Sequence, residues 1–121
     1  MRTASDTDFQ RVVLDASRPV LVDFWADWCG PCRAMTPILE DLAVVHGDKI
    51  DVVKVNLDDA PEMVKRYGVS SIPALLLFEA GEVVTTLIGA KPRTMIEKAL
   101  GLTASTGTYD RRLHRPPRSD Q

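Results

Sequence analysis

The chain has 121 residues, of which 45% are hydrophobic and 26% charged, and it carries a formal net charge of −2. This composition is typical of one globular domain, and it does not indicate a protein that binds nucleic acid or inserts into a membrane. The apolar runs are far shorter than the roughly 20 residues needed to cross a bilayer. Because the N-terminus lacks the apolar segment of a signal peptide and the chain has only two cysteines, we expect a cytoplasmic location.

The chain opens with an amphipathic segment followed by an apolar run. Thr7 and Gln10 have the spacing of a capping box, which predicts a first helix that ends near Ala16. Residues 20–25 are almost continuously apolar, and such a run is typical of a strand covered on both faces.

A second helix is predicted from Pro31 to about His46, because apolar residues recur along one side of it. Pro37 lies inside this helix and predicts a kink, since proline has no backbone N–H to donate. Residues 50–57 form another apolar run and predict a second central strand.

The second half of the chain predicts a helix, a hairpin and a last helix. Pro61 is suited to the first position of a short helix that ends at Gly68. Strands over residues 74–78 and 82–88 are separated by a tight turn, and Pro92 opens the last helix. We therefore expect an α/β fold in which helices cover both faces of a central mixed sheet.

Residues 103–121 differ in composition from the rest of the chain. They hold paired prolines and almost no large apolar residues, so a domain over residues 1–102 and a disordered tail over residues 103–121 are predicted. The tail is either a benign extension or, because of its positive charge, a segment that binds an acidic partner. Its four arginines are Arg111, Arg112, Arg115 and Arg118.

Cys29 and Cys32 are the two cysteines of the chain, and they flank Gly-Pro at the predicted start of the second helix. A C-x-x-C motif in a short α/β chain is typical of a redox dithiol. The N-terminus of a helix stabilises an anion, so we predict that Cys29 is a reactive thiolate that attacks a substrate disulfide. Cys32, one turn further along, is predicted to resolve the mixed disulfide.

A metal site is the main chemical alternative for this cysteine pair. A closed zinc site needs four ligands, and only His46 and His114 are available to complete it. We therefore expect neither a metal nor any cofactor besides the Cys29–Cys32 disulfide, and both histidines are predicted to be solvated surface residues.

Asp23 and Lys54 each interrupt an apolar strand. If Asp23 is buried, its pKa is raised, and it could accept a proton from Cys32 while Lys54 lessens the cost of the buried charge. If both residues lie at strand ends, they simply face water. The pattern alone leaves these alternatives open.

Residues 22–32, which read Val-Asp-Phe-Trp-Ala-Asp-Trp-Cys-Gly-Pro-Cys, resemble the active-site segment of the thioredoxin family. Lys54, the pair Ile72-Pro73 and the pair Gly89-Ala90 follow in the order and spacing of that family. The resemblance covers roughly residues 5–101. The family's usual first strand is nearly absent, so a short strand is expected there.

This resemblance implies a thioredoxin-like fold and a role for each matching residue. Cys29 would be the nucleophile, Cys32 the resolving thiol, and Asp23 a buried proton acceptor modulated by Lys54. A cis peptide bond is implied before Pro73. The implied substrate-docking surface consists of Trp28, Gly30, Pro31, Ile72, Pro73, Gly89 and Ala90.

The resemblance also implies a function. The chain would be a general protein-disulfide reductase that acts on disulfide-containing proteins and is recharged by a thioredoxin reductase. The Gly-Pro pair between the cysteines favours a reductase over an oxidase or isomerase, and nothing in the sequence requires more than a monomer. The alternative is a binding or scaffold subunit that does not use its thiols.

Overall fold

A five-stranded sheet organises the computed structural model, which describes residues 1–102. The predicted tail lies outside the described residues, so the division of the chain at Leu102 stays a prediction. The strands are β1 (Arg2–Ala4), β2 (Val20–Trp25), β3 (Asp51–Asn56), β4 (Ala74–Glu79) and β5 (Glu82–Ile88). The helices are α1 (Gly30–Val45), α2 (Pro61–Arg66) and α3 (Arg93–Leu100), with a π-helical turn over Gln10–Leu14 and a 3₁₀ turn over Leu57–Asp59.

The strand order β1-β3-β2-β4-β5 places β2 at the centre of a mixed sheet. β2 runs parallel to β3 and antiparallel to β4, and β4 continues into β5 as an antiparallel hairpin. β1 contributes three residues parallel to β3, which agrees with the short first strand expected from the sequence. The prediction of a mixed sheet is confirmed.

Alternation along β2 divides the interior into two cores. Val22 and Phe24 face a core that also contains Phe9, whereas Leu21 faces a core with Leu39 of α1 and residues of α3. Because successive side chains on a strand point to opposite faces, the residues at 23 and 25 belong to the face covered by α1. Helical segments cover both faces of the sheet, as predicted.

The first helix differs from its prediction in extent and in its cap. Gln10 does not reach back to Thr7; its side-chain amide instead donates to Asp15 Oδ1 at 2.8 Å. Just before the helical turn, Asp8 Oδ1 accepts a hydrogen bond from the backbone N–H of Ser5 at 2.7 Å, and no side chain caps the turn itself. A charged acceptor forms a stronger hydrogen bond than a neutral amide, which favours this arrangement. The predicted Thr7–Gln10 capping box is therefore wrong.

His46 is fully buried, so its prediction as a solvated residue is wrong. It follows the last turn of α1, and its Nε2 lies 2.7 Å from Oε2 of Glu97 on α3. The same Glu97 oxygen accepts a hydrogen bond from Arg93 Nε at 3.3 Å, and Arg93 Nη1 lies 3.7 Å from Asp41 Oδ2. These contacts connect α1 to α3. His114, the other histidine, lies outside the described residues.

The buried pair predicts a measurable contribution to stability. In Glu97→Ala, the His46 ring would be buried with neither nitrogen paired, so the free energy of unfolding should fall by about 2–3 kcal/mol. Chemical denaturation monitored by circular dichroism measures this change. Lys98→Ala is the matched control, because Lys98 is the next residue of the same helix but is exposed. Equal stability of the two variants would contradict the assigned role.

Candidate active site

The cysteines are positioned by the first turn of α1. Cys29 is the N-cap residue of this helix, and its Sγ accepts a hydrogen bond from the backbone N–H of Cys32 at 3.2 Å. Pro31 occupies the first turn, where its missing N–H leaves no hydrogen bond unmade. The two cysteines form a disulfide, and Cys29 is 6% exposed whereas Cys32 is 1% exposed. Both cysteines are therefore buried, Cys32 more completely than Cys29.

The surface beside the disulfide is built from one neighbouring stretch of chain and two loops. Trp28 is 69% exposed, and Gly30 and Pro31 are exposed as well. Ile72 packs against the buried cluster of Ala26, Cys29 and Cys32 from a separate loop.

The loop that contains Ile72 and Pro73 is joined by a hydrogen bond to the loop that contains Gly89 and Ala90. The bond between Ile72 and Pro73 is cis, which confirms the prediction. The N–H of Gly89 donates to the Pro73 carbonyl at 2.8 Å, and Gly89 has a φ of +90°, a conformation that favours glycine. Ala90 follows as an exposed residue. The structure thus brings Ile72, Pro73 and Gly89, which are distant in sequence from the cysteines, to the same region of the molecule.

Asp23 is fully buried in the middle of β2, which excludes the alternative that it faces water. Neither of its carboxylate oxygens has a hydrogen-bond partner among residues 1–102. Lys54 is its direct neighbour on β3. Burial raises the pKa of Asp23 to about 7, and the positive charge of Lys54 lowers it by a smaller amount. Asp23 can therefore exchange a proton near neutral pH.

Lys54 contacts an aromatic ring instead of the carboxylate. Its Nζ lies 4.0 Å from the centroid of the Trp25 ring, and within the described part of the chain it forms no ion pair with Asp23 or any other carboxylate. The sequence analysis assigned no role to Trp25. The alternation of side chains along β2 could have indicated a role, since positions 23 and 25 share a face of the strand.

A sequence model described as Thioredoxin matches residues 1–101 of this chain, over the same elements that carry the cysteines, Asp23 and Pro73. The chain belongs to the thioredoxin family. It is 48% identical over 98 residues to thioredoxin from Alicyclobacillus acidocaldarius subsp. acidocaldarius, covering 81% of this chain and 92% of that one. It is 49% identical over 96 residues to thioredoxin from Rhodospirillum rubrum, covering 79% and 92% respectively.

The relatives include a protein of an organelle. The chain is 46% identical over 92 residues to thioredoxin M-type, chloroplastic, from Chlamydomonas reinhardtii, covering 76% of this chain and 66% of that relative. Similarity to thioredoxins therefore does not by itself define a compartment.

Membership of the thioredoxin family defines the class of chemistry. Thioredoxins are disulfide oxidoreductases whose reacting group is a redox-active disulfide and which need no further cofactor, and this chain has such a cysteine pair. Across residues 1–102, no group of three or more His, Cys, Asp or Glu side chains is arranged to hold a metal ion. None of the helices in that range is both long and apolar enough to span a membrane.

The raised pKa of Asp23 predicts how stability depends on pH. Between the unfolded value of 3.8 and the folded value of about 7, the folded protein retains a proton that the unfolded chain has released. Stability should therefore fall as pH rises through this range, and level off above it.

For the oxidised protein, this carboxyl should lower the free energy of unfolding by roughly 2–3 kcal/mol between about pH 5 and pH 8.5, and Asp23→Asn should lack that decrease. Denaturant unfolding at the two pH values measures it, with the exposed Asp48→Asn as control. If wild type and Asp23→Asn showed the same pH dependence, the raised pKa would be refuted.

Proposed function

We propose that this chain is a general protein-disulfide reductase in which Cys29 attacks the substrate and Cys32 completes the reaction. The observation that supports this most directly is the placement of the pair, with Cys29 as the N-cap of α1 and Cys32 in its first turn. Backbone N–H groups and the helix dipole at this position stabilise a thiolate on Cys29. Cys32 is less exposed and is suited to an intramolecular step.

The reaction transfers two electrons to the substrate. In the reduced protein, the Cys29 thiolate attacks one sulfur of the substrate disulfide, which forms a mixed disulfide and releases one substrate thiolate. The Cys32 thiolate then attacks Cys29 Sγ, which closes the Cys29–Cys32 disulfide and releases the second substrate thiolate. Both departing thiolates take up protons to give the reduced substrate.

Asp23 is proposed as the base that takes the proton from Cys32 before this second step. It lies on the α1 face of the sheet, and Cys32 belongs to the first turn of α1. A pKa of about 7 allows Asp23 to accept a proton and return it to solvent near neutral pH. Lys54 is the charged neighbour of Asp23 on β3 and stabilises its ionised form.

The substrate is proposed to lie across the surface around the disulfide, formed by the exposed Trp28, Gly30, Pro31 and Ala90, the partly exposed Ile72 and Gly89, and the buried Pro73 beneath them. Trp28 offers a large apolar area, and Ile72 already packs against the cysteines. Within residues 1–102 the backbone of Ile72 forms no hydrogen bond with another backbone group. An extended substrate segment could therefore pair with it as an added strand does.

We further propose that a thioredoxin reductase recharges the protein and that its substrates are disulfide-containing proteins. These partners follow from membership of the family. A monomer in the cytoplasm is the setting consistent with the composition of the chain and with a dithiol that must be kept reduced.

Single cysteine variants test the assignment of the two sulfurs. Cys29→Ser should lose turnover by several orders of magnitude and form no mixed disulfide, because the attacking thiolate is gone. Cys32→Ser should also lose turnover but accumulate a mixed disulfide through Cys29, since the second step cannot occur. Insulin reduction gives the turnover, and intact-protein mass spectrometry detects the adduct. If Cys29→Ser formed an adduct through Cys32 as fast as Cys32→Ser forms one through Cys29, the assignment of Cys29 as the attacking thiol would be contradicted.

The proton-acceptor role predicts that Asp23→Asn affects the two steps differently. Resolution of the mixed disulfide should slow by about 100-fold, whereas the attack by Cys29 should be nearly unchanged. Raising the pH should restore part of the lost rate, because Cys32 then ionises without a base. Rapid-mixing kinetics with a chromogenic disulfide separates the steps.

Asp27→Asn is the matched control for this kinetic experiment, because Asp27 is close to the cysteines in sequence but exposed. A similar loss in both steps of Asp23→Asn, without recovery at high pH, would show that Asp23 acts only through the structure.

A further inference from the structure

Three side chains that share one face of the sheet form a group around the buried carboxylate. Asp23 and Trp25 are two residues apart on β2, so they point to the same face. Lys54 is the register partner of Asp23 on β3 and belongs to that face as well. On the other side of Asp23, the register partner on β4 is the apolar Leu75. Lys54 is therefore the only charged side chain that the two neighbouring strands place directly beside Asp23.

The ammonium group of Lys54 is located by the indole ring. Its Nζ lies 4.0 Å from the centroid of the Trp25 ring, well inside the range of a cation–π contact. Neither Asp23 oxygen has a hydrogen-bond partner among the described residues, so the carboxylate itself does not bind the ammonium directly. Trp25 therefore supplies the contact that keeps the positive charge near Asp23.

Without this contact, the Lys54 ammonium group could move toward water or toward other acidic residues. Trp25 and Lys54 line a cleft of about 220 Å³ whose other lining residues include the acidic Asp8 and Asp59. The lysine side chain has four rotatable methylene groups and a strongly hydrated end, so it readily follows water or a solvated carboxylate. Movement toward Asp8 or Asp59 would take the charge into the cleft and leave Asp23 without its counter-charge.

We propose that Trp25 is a positioning residue that holds the Lys54 ammonium beside Asp23 through its ring. The catalytic consequence rests on the proposed function of Asp23 as a proton acceptor. By fixing Lys54, the ring keeps the ionised form of Asp23 accessible at neutral pH. Trp25 also packs against the cluster of Ala26, Cys29 and Cys32, so the proposed effect on Asp23 has to be separated from packing, and the Lys54→Met background does this.

The test is a double-mutant cycle read out by the titration of one carboxyl group. Trp25→Leu and Trp25→Phe are prepared in the full-length chain, each with Lys54 present and with Lys54→Met. The Asp23 side-chain carboxyl is followed by ¹³C NMR against pH in the oxidised protein, where the disulfide cysteines do not titrate. Asp8 and Asp59 are followed in the same spectra, because they line the same cleft as Lys54.

With Lys54 present, Trp25→Leu should move the Asp23 titration midpoint upward by about one pH unit, the effect of losing an opposite charge a few ångströms away. Trp25→Phe should move it less, because a phenyl ring still attracts the cation but more weakly than indole. With Lys54→Met, neither substitution should move the midpoint. An equal shift in both backgrounds would mean that Trp25 acts by packing alone, and an unchanged midpoint in Trp25→Leu would also overturn the proposal.

A measurement on the unsubstituted protein covers the case in which Trp25→Leu does not fold. Protons on the Lys54 ε-carbon should resonate upfield of those of the exposed Lys49, because they lie over the face of the indole ring. Ordinary lysine shifts at Lys54 would refute the contact. These readouts need no catalysis, so a failure of Asp23→Asn to slow resolution would remove the proton-acceptor role while leaving the positioning by Trp25 intact.

Discussion

The first turn of α1 needs a hydrogen-bond acceptor, and in this protein a sulfur atom provides it. Helices begin with backbone N–H groups that have no partner inside the helix, and Ser, Thr, Asp or Asn usually satisfies one of them. Here Cys29 takes that position and accepts from the N–H of Cys32. In the oxidised protein, a sulfur of the disulfide thus serves as the cap of the helix. One side of the helix, with Met35, Leu39 and Leu42, is buried against the sheet, whereas Gly30 and Pro31 at its start are exposed.

The central position of β2 in the sheet explains why Asp23 is buried. A residue in the middle of a strand with neighbours on both sides and a helix above it has little access to water, and Asp23 has none. A carboxylate in such a place lowers the stability of the folded protein above neutral pH. With its pKa raised to about 7, the Asp23 carboxyl can gain and lose a proton near neutral pH. A solvated carboxylate would stay ionised there.

The sequence predicted those elements that depend on local pattern. The apolar run of β2, the hairpin of β4 and β5, and the start of α1 at the cysteines all appear where they were expected, within one residue. The implied cis bond before Pro73 is also present, although it followed from the family resemblance and not from local chemistry.

The sequence predictions were wrong where the partner of a side chain is distant in the sequence, or where several hydrogen-bond acceptors lie close together. His46 is buried because Glu97, 51 residues later, meets it, and no periodicity within α1 could show this. The predicted capping box is absent because Gln10 bonds to Asp15 and the nearby Asp8 bonds to the N–H of Ser5. The contact of Lys54 with Trp25 depends on the register between β2 and β3, which the sequence leaves undefined.

With three residues, β1 pairs with only half of β3, through Val53, Lys54 and Val55. The start of β3 at Asp51 is consequently an open border of the sheet, where backbone groups could accept a strand from another molecule. On the other side of β3, Asp51 forms an ion pair at 3.3 Å with Arg18, two residues before β2, and Arg18 also donates to the Gly47 carbonyl. Among residues 1–102, the shortened β1 therefore leaves the first half of β3 with a strand on one side only, so the outer backbone groups there have to find hydrogen-bond partners outside the sheet.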